Sequence, residues 1–186
     1  MSYSAQLRAV RAHFGFTQLT LAPWLGLSRA LLASVETGRE QLPAHARPWL
    51  RPWVAALSAA ADDAPRPALA ILPVPAAGPA PVLARLAECR YQAQRLGQQR
   101  DALLVAHRTA ARRLAAGSLL LAALPVPAAT EASTLARRRR WLARLLEAAT
   151  DALAPEAPAG PVAARLLEAR QQGFLHEAAW LVAGTG

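Results

Sequence analysis

Apolar positions early in the chain repeat at helical spacing and are punctuated by glycines. Leu7, Val10 and Phe14 share one helical face and Gly15 ends the pattern, which predicts a first helix from about Ser4 to His13 behind a frayed end at residues 1–4. Thr17 stands where an N-cap belongs, its hydroxyl able to accept an orphan N–H of the next turn. Leu21, Ala22 and Leu25 then give a second helix, Gln18 to about Leu25, one apolar face, and Gly26 supplies a tight turn. Ser28 caps a third helix, Arg29 to Thr37, with Leu32 and Val35 inward and Gly38 closing it. Two helices joined by a Gly-containing turn of about four residues make a helix-turn-helix.

Further along, Trp49/Leu50, Trp53/Val54 and Leu57 lie three to four apart and form a face that can pack back on these helices. Pro48 and Pro52 do not fit one unbroken helix, so the sequence predicts a short helix or turn near 44–47 and a helix from about 49 or 52 to Ala61. Residues 62–81 are rich in proline and read as a semi-rigid extended linker. From Val82 the pattern turns heptad-like. Val82, Leu86, Cys89, Ala93, Leu96, Arg100, Leu103, His107, Ala110 and Leu114 alternate at steps of four and three, as an a/d seam does. Proline-punctuated helices follow over about 131–153 and 162–182. The expected architecture is all-α: a domain at 1–61, a linker at 62–81, and an antiparallel helical hairpin, bundle or coiled coil at 82–186, with its first helix over about 82–124.

The spacing of particular residues in the first forty positions is more specific than the helical pattern. Leu7-Arg8-Ala9-Val10-Arg11, Gly15-Phe16-Thr17-Gln18, Leu21-Ala22-Pro23-Trp24-Leu25-Gly26-Leu27-Ser28, Leu32 and Val35-Glu36-Thr37-Gly38-Arg39 follow one another without a gap. This segment resembles the helix-turn-helix of the lambda-repressor/Cro type, also called the XRE type. The resemblance implies a third helix lying in the major groove with its N-terminal residues at base edges. Carried over position by position, the base-facing residues are Arg29, Ala30 and Ser34, with Ser28 at the entry. Gln18 and Arg39 match positions that contact phosphate, and Arg11 and Glu36 match an internal ion pair. Of the base-facing group, only Arg29 carries the bidentate fork that reads guanine; Ala30 offers at most apolar contact to a thymine methyl. Leu31 stands where the family usually has a polar residue, and Pro23 sits late in the second helix.

Charge points the same way. The chain has no lysine, and its 21 basic residues, all arginine, outweigh 12 acidic ones to give +9, which favours a polyanionic partner. Residues 1–61 carry six arginines against two glutamates and residues 79–128 seven against two acids, whereas residues 155–186 are slightly acidic. Arg137 to Arg140 form the densest run. Four successive residues point around most of a helix, so the run reads as a solvated face before a second polyanion contact.

Other chemistry finds little footing. Cys89 is the single cysteine, so no intramolecular disulfide or cysteine-rich zinc site can form. The four histidines make no metal-ligating pair on a helical face, and no phosphate-cradling glycine loop or nucleophile motif occurs. The five tryptophans lie on apolar faces and read as core. Neither a signal pattern nor a membrane-length apolar run is present, so a cytoplasmic protein is expected. The reading is therefore a DNA-binding transcriptional regulator, not an enzyme, without metal, cofactor or small-molecule substrate. Its expected partners are double-stranded DNA and a second copy of the chain joined through 82–186. The alternative is an interaction scaffold in which the helix-turn-helix is a protein-docking module.

Overall fold

The computed structural model describes residues 2–59, 78–126, 133–158 and 160–184. Every regular element among them is helical, so the all-α expectation holds. The order is α1 (Tyr3–Phe14), α2 (Gln18–Leu25), α3 (Arg29–Glu36), a 3-10 turn (Ala44–Ala46), α4 (Arg47–Ala59), α5 (Ala80–Ala122), α6 (Ser133–Leu153) and α7 (Pro161–Ala183). None of these helices is long and apolar enough to cross a membrane. Most of the proline-rich linker, the end expected for the fourth helix at Ala61 and the expected start of the sixth at 131 lie outside the described residues.

Capping chemistry sets the boundaries of the first helices. The Ser2 hydroxyl accepts the Ala5 N–H at 3.3 Å, so α1 begins at Tyr3 where the sequence suggested fraying. Thr17 and Ser28 cap α2 and α3, each accepting an N–H three residues on at 3.1 Å. After α2, Gly26 turns left-handed (φ +71°); its N–H reaches the Pro23 carbonyl and the Leu27 N–H the Ala22 carbonyl, which closes the helix. The same pair of bonds closes α3, where the Arg39 N–H meets the Ser34 carbonyl at 2.9 Å and the Gly38 N–H meets that of Val35 at 3.1 Å.

Prolines interrupt less than their number suggests. α4 runs unbroken through Pro48 and Pro52. Pro48 lies in the first turn, where an N–H has no intrahelical partner to lose. Pro52 removes one bond, to the Pro48 carbonyl, but is itself buried among the core residues Leu50 and Trp53. In α7, Pro161 is the first helical residue and not a stop before it.

The chain divides into two compact units that do not follow the boundaries at 61 and 82. One comprises Met1–Asp63 with Arg108–Asp151; the other comprises Ala64–His107 with Ala152–Gly186. The reason is a shared core. Leu7, Val10, Phe14, Leu21, Trp24, Leu32 and Trp53 from α1–α4 form one apolar cluster with Ala116 and Leu120 of α5 and Leu142 and Leu145 of α6. Rings cross edge-on within it: Phe14 to Trp53 at 4.7 Å, Phe16 to Trp53 at 4.9 Å, Trp24 to Trp49 at 5.9 Å. The Trp24 indole N–H finds the Trp49 carbonyl at 2.8 Å, and that of Trp141 the Thr20 carbonyl at 3.0 Å.

Arginines of α5 and α6 complete the joint in the first unit. A helix of eight to twelve residues leaves four C-terminal carbonyls without an intrahelical donor. Arg112 donates to the His13 carbonyl at 3.1 Å, and Arg113 to those of Phe14 (2.9 Å) and Gly15 (3.1 Å), at the end of α1. Arg138 donates to the Trp24 carbonyl at 2.7 Å near the end of α2 and stacks 3.9 Å over the Trp49 ring. Cations also suit the negative end of the helix dipole. Burial holds the Arg113 guanidinium below its usual pKa; the same cause acts on Arg138, with the neighbouring Arg137 charge adding to it. Arg138 is thus a buried structural residue, which corrects the reading of the whole Arg137–Arg140 run as solvated. Gly15 fits closely here: it has φ +64°, and a Cβ on it would stand 2.6 Å from the Thr109 methyl.

In the second unit, Leu86 and Cys89 of α5 pack on Ala178 of α7, with Phe174 and Val182 against them. Arg85 and Glu177 pair through two bonds of 2.6 and 2.8 Å. Burial pushes the Cys89 thiol up, which leaves it protonated and unreactive. The seam residues of α5 are buried or half-buried from Val82 to Leu114, after which the buried positions shift to Ala116, Leu120 and Leu124. Trp180, expected in the core, is 71% exposed.

Arg138 gives the sharpest stability test. A charge-assisted bond and a stacked guanidinium together are worth about 2–4 kcal/mol. Lysine keeps the charge but neither the planar stack nor the fixed N–H direction. Arg138→Lys is expected to lower stability by about 2 kcal/mol and Arg137→Lys by under ~0.5 kcal/mol, read as urea midpoints followed by tryptophan fluorescence.

Candidate nucleic-acid interface

α3 is positioned by one buried carboxylate. Glu36, at its last turn, is 8% exposed. It accepts Arg11 Nε at 2.6 Å on Oε1 and Arg11 Nη2 at 3.1 Å on Oε2, and Gln18 Nε2 at 2.8 Å on Oε2. Arg11 Nη1 continues to the Phe16 carbonyl at 3.1 Å. One side chain of α3 thereby holds one of α1 and one of α2. The bidentate fork fixes rotation as well as distance, which a single point charge does not.

That constraint sets which face of α3 points outward. Leu32, Val35 and Glu36 face the interior, and Leu31 is half-buried at the edge of the core. Arg29 and Ala30 are exposed, and Ser34 is partly so, one turn further along the same face. Ser28 is exposed at the N-cap, with its oxygen engaged by the Leu31 N–H and its hydroxyl proton still able to donate. Arg39 is exposed beyond Gly38, tied to the helix only through its backbone N–H. Arg29, Ala30, Ser34 and the Ser28 cap are therefore assembled on one outward surface. Arg29 and Arg39 have no side-chain hydrogen-bond partner among the described residues.

The resemblance places Gln18 at phosphate as the residue that starts the second helix, and its side chain has a separate task. Its amide is directed at Glu36, so its side chain belongs to the internal network. What Gln18 leaves to solvent is its backbone position in the first turn of α2, where N–H groups point out of the helix.

The electrostatics of the first unit suit an anion. It holds fourteen of the arginines against seven carboxylates, so +7 of the chain's +9 charge lies there. The same unit carries a feature that a reading of consecutive residues missed. A cleft of about 550 Å³ lies between α2 and α6, lined by Thr20, Pro23, Arg137, Arg140, Trp141 and Arg144, among others. The signal was in the sequence: Arg137, Arg140 and Arg144 are spaced three and four apart and share a helical face.

Metal chemistry finds no cluster of three ligating side chains among the described residues. His13, beside the α1 terminus, has its pKa lowered by burial and then by the Arg112 charge, as for a packed neutral imidazole. No protein-family model, curated protein or solved structure matches the chain.

The network around Glu36 yields a graded series. Glu36→Gln leaves the half-buried Arg11 guanidinium without a counter-charge, and a loss of about 3 kcal/mol is expected. Gln18→Ala removes one bond to a charged group and should cost about 1.5 kcal/mol. Equal urea midpoints for Glu36→Gln and wild type would show that the carboxylate does not hold the three helices.

Proposed function

We propose that the chain is a DNA-binding regulator of the Cro/repressor helix-turn-helix type, without enzymatic activity. In this reading α3 enters the major groove, with Arg29 at a guanine edge and Ser28, Ala30 and Ser34 beside it. Arg39 and the first turn of α2 sit on phosphates. The observation that carries the reading is the outward face of α3, with Arg29, Ala30 and Ser34, on a unit of charge +7. The Glu36 network supports it by fixing the rotation of that helix, since base reading needs side chains held in register.

Self-association through 82–186 completes the proposal, because two copies place two α3 helices on adjacent half-sites. Val162, Leu166 and Trp180 of α7 are exposed apolar residues that a second copy could cover. A second reading, a protein-docking module, draws support from Leu19, which is 70% exposed on α2.

Selection of bound fragments from mixed genomic DNA, followed by sequencing, tests the proposal. One enriched palindrome is expected. Arg29→Ala should relax the preference at one base per half-site and cost about 1–3 kcal/mol there, while Arg39→Ala should weaken binding to all sequences alike. Equal losses on all sequences for both variants would contradict the assigned roles. No retained DNA at low salt would sink the regulator and favour the docking module.

A further inference from the structure

Of the four arginines in the run 137–140, Arg138 is buried on the Trp24 carbonyl and Arg139 donates to the Pro125 carbonyl. Arg137 and Arg140 remain exposed, and with exposed Arg144 they line the cleft against α2. No carboxylate lines this cleft. Among the described residues, none of the three guanidiniums has an ion-pair partner. Three like charges on one helical face are costly to keep together, since each repels the others. Stability does not call for them: the docking of α6 on α2 is carried by Arg138, Trp141 and Leu142.

We propose that Arg137, Arg140 and Arg144 form a second phosphate-contacting strip, which holds the backbone of the same DNA that α3 reads. This rests on the DNA-binding reading above and extends its footprint onto α6. Three points of geometry favour a nucleic-acid strand. The strip lies along a helix, and seven residues at 1.5 Å each span about 10 Å, so the three arginines form a row that suits a line of phosphates. Each strand of duplex DNA carries a charge for every 3.4 Å of helix axis, so such a row lies beside more than one phosphate. The cleft wall opposite includes Thr20 in the first turn of α2, the turn whose N–H groups are assigned to phosphate, so the strip continues a surface already facing the backbone. Its contacts are to charge alone, and they add affinity without sequence preference.

The test compares the full-length wild type with the variant R137Q/R140Q/R144Q on one duplex across a salt series. Each phosphate contact contributes about 0.9 to the slope of log affinity against log salt, so the variant's slope is expected to be shallower by about 2.7. The loss should be the same on selected and unselected sequences, with the unfolding midpoint unchanged. An unchanged slope in a wild type that binds DNA overturns the strip and leaves α3 reading intact. If the variant instead loses calorimetric binding of inorganic pyrophosphate while its DNA slope is unchanged, the cleft is a small-anion site and the strip is overturned. Failure of the wild type to bind duplex at low salt removes the regulator reading and the strip together. If R138K lowers the unfolding midpoint while the triple variant does not, any change in slope belongs to the strip and not to misfolding.

Discussion

The fold of the first unit depends on how short helices end. α1, α2 and α3 are eight to twelve residues long, and at such lengths the unpaired terminal carbonyls are a large fraction of the backbone. Left-handed glycines close part of each terminus. At α1 and α2 arginines from distant parts of the chain meet further carbonyls, Arg112 and Arg113 on α1 and Arg138 on α2, while at α3 the Thr37 hydroxyl does so. Each arginine carries a charge that suits the end it meets and a stem that packs on apolar neighbours. This explains why the helices at 1–59 share a core with α5 and α6 and do not stand apart behind a linker.

The same residue type serves two purposes, and burial separates them. Arg113 and Arg138 are drawn toward carbonyls and aromatic rings, and burial lowers their pKa without discharging them. Arg29, Arg39, Arg137, Arg140 and Arg144 are exposed. A chain without lysine therefore uses guanidinium geometry inside and guanidinium charge outside. The internal network around Glu36 connects the two roles, because it sets the rotation of α3 and so decides that Arg29 faces out.

Much of this was legible in the sequence. The N-caps Thr17 and Ser28, the closing glycines and the extent of α2 follow from local chemistry and spacing, and the structure has them there; the pairing of Arg11 with Glu36, implied by the resemblance alone, is also present. The α5 seam was also legible, since a 3-4 alternation must bury one face. Three things were not. Proline was weighted as a helix breaker at 48, 52 and 161, although at a first turn it costs nothing and at Pro52 core burial offsets one bond. The bond from Gln18 to Glu36 was hidden because sequence does not show that the amide lies within reach of the carboxylate. The division into units was hidden because carbonyl capping by Arg112, Arg113 and Arg138 is a contact between residues about a hundred positions apart, with no periodic trace.

The most direct measurement of the central claim is amide hydrogen exchange on the full chain with and without a selected duplex. The account predicts slowed exchange in the first turns of α2 and α3, at Gly38–Arg39 and along Arg137–Arg144. Protection confined to α7 or to the first half of α5, on a duplex that is demonstrably bound, would contradict it and move the DNA-facing surface to the other unit.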